Sequence, residues 1–126
     1  MTQEDKKLLL KELCARLPYD TVCQVEFKSN GKYESKNMIL SGIFKDEAYF
    51  TIENGSVYSN DYKPYLFPLS SMTEEQEEEY NDLNCYELGC FPSTEGALDY
   101  LIKNHFDYRY LIDEDLAIDA TNLNIY

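Results

Sequence analysis

The 126-residue sequence predicts an α+β fold, with an N-terminal helix, an antiparallel sheet and two further helices in that order. Three patterns support this class. Apolar residues recur at helical spacing near the start, alternate at every second position through the next third of the chain, and return to helical spacing after residue 72. Strands grouped before helices are typical of α+β proteins. We therefore expect a single domain over residues 1–126, built on a four- to five-stranded meander or small barrel and ending in an extended tail.

The first element is a predicted helix over residues 3–17. Thr2 is a suitable N-cap with Asp5 three residues later, and Pro18 ends the helical pattern. The expected buried stripe consists of Leu9, Leu10, Leu13, Cys14 and Leu17. The basic residues expected on the outer face are Lys6, Lys7, Lys11 and Arg16.

The sheet is predicted from alternation and from turn signals. Residues 20–28 place Cys23, Val25 and Phe27 on one face, and Asn30-Gly31 then predicts a tight hairpin turn into a strand over residues 33–44. Gly42 is expected to bend that strand. Two more strands follow around a second Asn-Gly turn at Asn54-Gly55, and residues 61–72 are predicted as an extended connection or an edge strand.

Two helices are predicted after this connection. Either Ser71 with Glu74 or Thr73 with Gln76 forms a capping box for the first, which turns only Met72, Tyr80 and Leu83 inward. The second helix covers roughly residues 95–105 and is capped by Ser93 or Thr94. Its expected buried stripe is Ala97, Leu98, Leu101 and Ile102, with His105 at its C-terminal end.

Charge is distributed unevenly along the chain, whose formal net charge is −13. Residues 1–63 hold nine basic and ten acidic residues, whereas residues 64–126 hold two and fourteen. Such a surface is unsuited to direct nucleic-acid binding, which requires Lys and Arg to neutralise phosphates. A basic protein surface is attracted instead, although solubility alone is an alternative explanation for the acidity. No apolar run approaches the length of a membrane span, and the start lacks the features of a signal peptide.

Candidate reactive residues are few. His105 is the only histidine and lies beside no recognisable nucleophile, so we expect a structural role at a helix end. Cys85 and Cys90 form the only close cysteine pair, and they lack the further ligands that zinc requires. Residues 113–119 lack the glycine and the spacing of a calcium loop. The sequence therefore predicts no catalytic residue, no metal site and no cofactor, and the protein is not expected to be an enzyme.

The functional prediction rests on the acidic residues. The expected partner-binding face comprises Glu74, Glu75, Glu77, Glu78, Glu79, Asp113, Glu114 and Asp115. These carboxylates could also imitate the phosphates of DNA, because a basic nucleic-acid channel responds to negative charge from any source. The alternative is a small-ligand or nucleotide-binding module that uses a Tyr-rich sheet face together with His105, Tyr108 and Arg109.

Three stretches carry a family resemblance: TQEDKKLLLKELCARLPY, KPYLFPLSSMTEEQ and KNHFDYRYLIDEDLAIDATNLNIY. They resemble a family of small uncharacterised proteins from phages and mobile elements of gut Bacteroidales. That family has a glycine near position 114, where this chain has Glu114 in a more acidic turn. The resemblance implies no activity and no catalytic residues, but it implies a mobile-element accessory protein in a bacterial cytoplasm. The sequence thus predicts a non-enzymatic acidic protein that binds a basic host protein, such as a nucleic-acid-handling or defence protein.

Overall fold

The computed structural model describes residues 2–45, 47–52, 55–83 and 94–126. Its helices are α1 (Gln3–Arg16), α2 (Glu74–Leu83) and α3 (Glu95–Lys103). Its strands are β1 (Val22–Ser29), β2 (Lys32–Phe44), β3 (Glu47–Ile52), β4 (Gly55–Ser59), β5 (Asp61–Pro68), β6 (Phe106–Asp107) and β7 (Ile118–Asp119). Short 3₁₀ turns cover Leu17–Tyr19 and Leu69–Ser71. The predicted α+β class and the order of its major elements are confirmed.

The strands of the described residues form one open sheet in the order β4-β3-β2-β1-β5-β6, and β7 also pairs with β5. The first four strands are the predicted antiparallel meander, so the barrel alternative is not the form observed. Residues 61–68 add the expected further strand, because β5 pairs antiparallel with β1 on its free edge. The sheet reaches seven strands because β6 and β7, two residues each, pair parallel with the second half of β5.

The hairpin and the bend occur where the sequence predicts them. Asn30 and Gly31 both have positive φ, 51° and 80°, which is the backbone of a two-residue primed turn. The pairing of β2 with β3 shifts register between Leu40 and Gly42, which marks a bulge at the expected bend. Gly55 pairs with Ile52 at the start of β4, whereas Asn54 of the second predicted turn lies outside the described residues.

All three helices begin at polar caps. Thr2 is the N-cap of α1 as predicted, and it forms a capping box with Asp5. Of the two boxes predicted for α2, Thr73 with Gln76 is the one observed, with hydrogen bonds of 2.9 and 3.1 Å. Thr94 caps α3 by accepting a hydrogen bond from the Ala97 backbone N–H. Ser93, its alternative, lies outside the described residues, as do Cys85 and Cys90.

Two apolar clusters hold these elements together. In the larger cluster, Leu9 and Leu13 of α1 pack on the sheet residues Val25, Leu40 and Phe50. The smaller cluster joins α2, α3 and the segment after α3. Its buried members are Leu101, Ile102, Phe106 and Tyr108. The predicted inward residues Met72 and Tyr80 pack against it, whereas Leu83 remains 41% exposed.

Two expectations for α1 are wrong. Arg16, expected on the outer face, has a completely buried side chain, because the segment after α3 covers the end of the helix. Cys14, expected in the buried stripe, is exposed, whereas Cys23 on β1 is buried as expected. No helix among the described residues is long and apolar enough to cross a membrane.

Candidate functional site

Helix α2 carries most of the predicted acidic face. Five of its ten residues are glutamates, all of them exposed, and the helix contains no basic residue. Among the described residues, Glu79 alone of the five has a side-chain partner, the hydroxyl of Tyr100 on α3, at 2.9 Å. Burial, and then this hydrogen bond, raises the pKa of Tyr100 to about 12. In the described part of the chain, none of the five glutamates forms an ion pair.

The arrangement of these glutamates does not favour the helix itself. Carboxylates in the first turn interact well with the helix dipole, and Glu74, Glu75 and Glu77 lie there. Glu78 and Glu79 lie beyond it, and each stands four residues after another glutamate. Like charges at this spacing destabilise an isolated helix by about 0.2–0.5 kcal/mol per pair. The helix therefore carries more negative charge than capping or dipole stabilisation explains.

The other predicted acidic residues lie in a turn between α3 and β7. Asp113, Glu114 and Asp115 are exposed, and Asp115 forms an ion pair of 2.8 Å with Lys63 of β5. The structure thus anchors this acidic turn to the sheet, whereas α2 packs against α3. The eight predicted carboxylates therefore belong to two separately held groups, and among the described residues only the group at residues 113–115 includes an ion pair.

The sequence did not indicate the buried polar cluster at the end of α1, which consists of Glu12, Arg16, Tyr108 and Arg109. The carboxylate of Glu12 accepts hydrogen bonds from the Tyr108 hydroxyl, at 2.8 Å, and from Nε of Arg109. Its second oxygen lies 3.4 Å from the Arg16 guanidinium. Arg16 donates in turn to the Phe106 carbonyl at 2.7 Å. Burial, and then the charge of Glu12, raises the pKa of Tyr108.

Asp107 holds the turn that follows this cluster. Its carboxylate is buried and accepts hydrogen bonds from three backbone N–H groups, those of Arg109, Leu111 and Ile112, at 3.3, 3.0 and 2.9 Å. A carboxylate that accepts several backbone N–H groups fixes the conformation of a turn. The acidic residues 113–115 are therefore displayed from a fixed support, and Asp107 is not available to a substrate.

His105 follows α3 in the left-handed conformation, with φ 63°, as a residue that ends a helix commonly does. Its ring stacks on the ring of Tyr126, 3.7 Å between centroids. Burial, and then the neighbouring Arg16 charge, lowers the pKa of His105 to about 4. The hydroxyl of Tyr126 donates to the Tyr65 carbonyl at 2.8 Å and accepts from the Val22 N–H at 3.0 Å.

The predicted ligand-binding residues all contact other side chains of the protein. Tyr108 and Arg109 meet on Glu12, and the Arg109 guanidinium lies 5.3 Å from the centre of the Tyr108 ring. His105 contacts Tyr126 instead. Their use in binding a nucleotide or another small ligand stays a prediction. Among the described residues, no group of three His, Cys, Asp or Glu side chains is placed to hold a metal ion.

Comparison with known proteins places the chain in no family: no family model, no curated protein and no solved structure matches it. The resemblance to the phage and mobile-element family therefore stays a prediction.

Proposed function

We propose that this chain is a non-enzymatic interaction protein and that α2 binds a basic surface on a host protein. The observation that carries the proposal is the set of exposed glutamates on α2, none of which is paired with a basic residue in the described structure. A complementary basic surface would relieve the repulsion between these carboxylates. Their uniform sign would also speed association by long-range attraction at low salt.

The setting we propose follows the family resemblance: an accessory protein of a phage or mobile element that acts in the cytoplasm of a Bacteroidales cell. A host protein that handles nucleic acid is a suitable partner class, because its binding channel already presents lysines and arginines to phosphates. The turn at residues 113–115 makes a smaller contribution in this proposal, because Asp115 is already paired with Lys63.

Retention of host proteins on the immobilised chain tests the proposal. The chain, a variant and a control are each incubated with Bacteroidales lysate at about 50 mM and roughly 500 mM salt, since screening weakens exposed charge interactions. The variant neutralises four exposed glutamates and keeps Glu79, which accepts the hydrogen bond from Tyr100. Its substitutions are Glu74→Gln, Glu75→Gln, Glu77→Gln and Glu78→Gln.

The matched control removes the same number of exposed charges elsewhere, with the substitutions Glu4→Gln, Asp20→Asn, Glu26→Gln and Glu34→Gln. We expect the native chain and the control to retain the same protein at low salt, and the α2 variant to lose it. High salt should release it. Equal retention by the α2 variant, or retention that ignores salt, would contradict the proposal. Duplex DNA that competes for the retained protein identifies the partner site as a nucleic-acid channel.

A further inference from the structure

A second surface of opposite charge lies on α1. One side of the helix faces the sheet across a partly open groove of about 520 Å³, closed on the far side by Ile43 of β2 and Tyr62 of β5. Three lysines line it from the helix, Lys6, Lys7 and Lys11. Its volume is in the range of pockets that hold small molecules. The groove joins segments distant in sequence, so the helical pattern alone did not indicate it.

The three lysines occupy unfavourable positions on α1. Although the chain has 24 acidic residues, none of these lysines forms an ion pair within the described residues. Lys6 lies in the first turn of α1, where the helix dipole disfavours positive charge. Lys7 and Lys11 are four residues apart, a spacing at which like charges repel. An anion in the groove would offset all of these costs.

The floor of the groove combines apolar side chains with a tyrosine. Leu10 and Ile43 are half-buried and line it. Tyr62 is only 6% exposed, and its hydroxyl makes no hydrogen bond to another described residue. Burial, followed by the nearby thiol of Cys23, raises the pKa of Tyr62 to about 12, so this hydroxyl keeps its proton and can donate it. The hydroxyl can therefore donate a hydrogen bond to a ligand that enters the groove.

From this geometry we infer that the groove binds a small organic anion, with its carboxylate, phosphate or sulfonate on the lysines and its apolar body on Leu10 and Ile43. The Tyr62 hydroxyl donates a hydrogen bond to the same ligand. This site is separate from α2 and does not depend on the function proposed for that helix. The proposals for the groove and for α2 can therefore be tested independently of each other.

The test uses anilinonaphthalene sulfonate, whose fluorescence reports binding of its aromatic body and whose sulfonate supplies the anion. Phenylnaphthylamine has the same rings without the sulfonate and serves as the uncharged probe. We expect the substitutions Lys7→Gln and Lys11→Gln together to weaken binding of the anionic probe roughly tenfold, because two charge-assisted contacts are lost. The uncharged probe should bind both proteins alike. Tyr62→Phe should weaken binding of the anionic probe severalfold without altering the fold.

The matched control replaces Lys32 and Lys36, two exposed lysines of β2 outside the groove, by Gln. It should change the affinity less than twofold. As a second readout, the anionic probe should slow alkylation of the exposed Cys14, which lines the groove, in peptide mass mapping. The inference would be overturned if replacing either lysine pair weakened binding of the anionic probe equally, or if the probe left the rate of Cys14 alkylation unaltered. So would tighter binding of a short polyglutamate peptide through Lys7 and Lys11, because the groove would then be a docking site for an acidic protein segment.

Discussion

Removal of the Glu12 carboxylate should destabilise the fold more than any surface change on the same helix. Glu12 is 1% exposed and contacts Tyr108, Arg109 and Arg16. In Glu12→Leu, the Phe106 carbonyl is the one acceptor that the fully buried Arg16 guanidinium keeps among the described residues. Breaking a buried ion pair from one side costs about 3–5 kcal/mol, because a charge is left without compensation. That loss is a large part of the free energy of unfolding of a typical domain, about 5–15 kcal/mol.

The double variant Glu12→Leu/Arg16→Met tests this reasoning, because it removes both buried charges. The remaining partner, Arg109, has a side chain that is 31% exposed and can reach water. We therefore expect the double variant to cost roughly 1–3 kcal/mol, less than Glu12→Leu alone, so that the two substitutions are strongly non-additive.

The assay is urea unfolding followed by far-UV circular dichroism and tyrosine fluorescence, since the chain contains no tryptophan. Glu4→Leu, at an exposed position of the same helix, is the control and should change the unfolding free energy by no more than about 0.5 kcal/mol. A cost of Glu12→Leu below about 1 kcal/mol, or additive effects in the double variant, would refute the role assigned to this buried cluster.

Three further predictions concern pH, a turn and the hairpin. His105 has a pKa near 4 in the folded chain against 6.5 when unfolded, so its contribution to stability is present above pH 6.5 and declines as pH falls toward 4. Between pH 7 and 4.5, the unfolding free energy of the native chain should fall by about 1–2 kcal/mol more than that of His105→Asn, a value reduced to allow for solvent screening of the partly exposed ring. Equal decreases in unfolding experiments would contradict this. Asp107→Ala leaves three backbone N–H groups without their acceptor and should cost about 2–4 kcal/mol in urea unfolding, whereas a cost under about 1 would mean that water replaces the carboxylate. Gly31→Ala should lower stability by about 1–2 kcal/mol because φ is +80° there, while Gly42→Ala, without a positive φ, should not; equal effects in thermal melts would exclude backbone strain as the cause.

Local patterns predicted the local structure well. The capping residues of α1 and α3, the alternation in β1 and the Asn30-Gly31 turn depend on interactions within a few residues, and each forms as the sequence indicates. The parallel pairing of β6 and β7 with β5 depends on segments about 40 to 50 residues apart in sequence, and two-residue strands have no periodicity from which to predict them.

The buried charges were missed for a related reason. Glu12 and Arg16 stand four residues apart on a helix, a spacing typical of a solvated ion pair. They are buried only because Phe106, Tyr108 and Arg109 return to cover them. In contrast, the exposure of the α2 glutamates was predictable, because a helix with so few apolar residues can bury only a narrow face.

Hydrogen exchange of the chain alone and in complex with the host protein retained at low salt locates the contact surface by residue. If α2 binds the partner, the backbone amides of Glu74–Leu83 exchange more slowly in the complex, with little change in Gln3–Arg16. Unchanged exchange in α2, or protection confined to α1, would show that the acidic helix is not the binding surface.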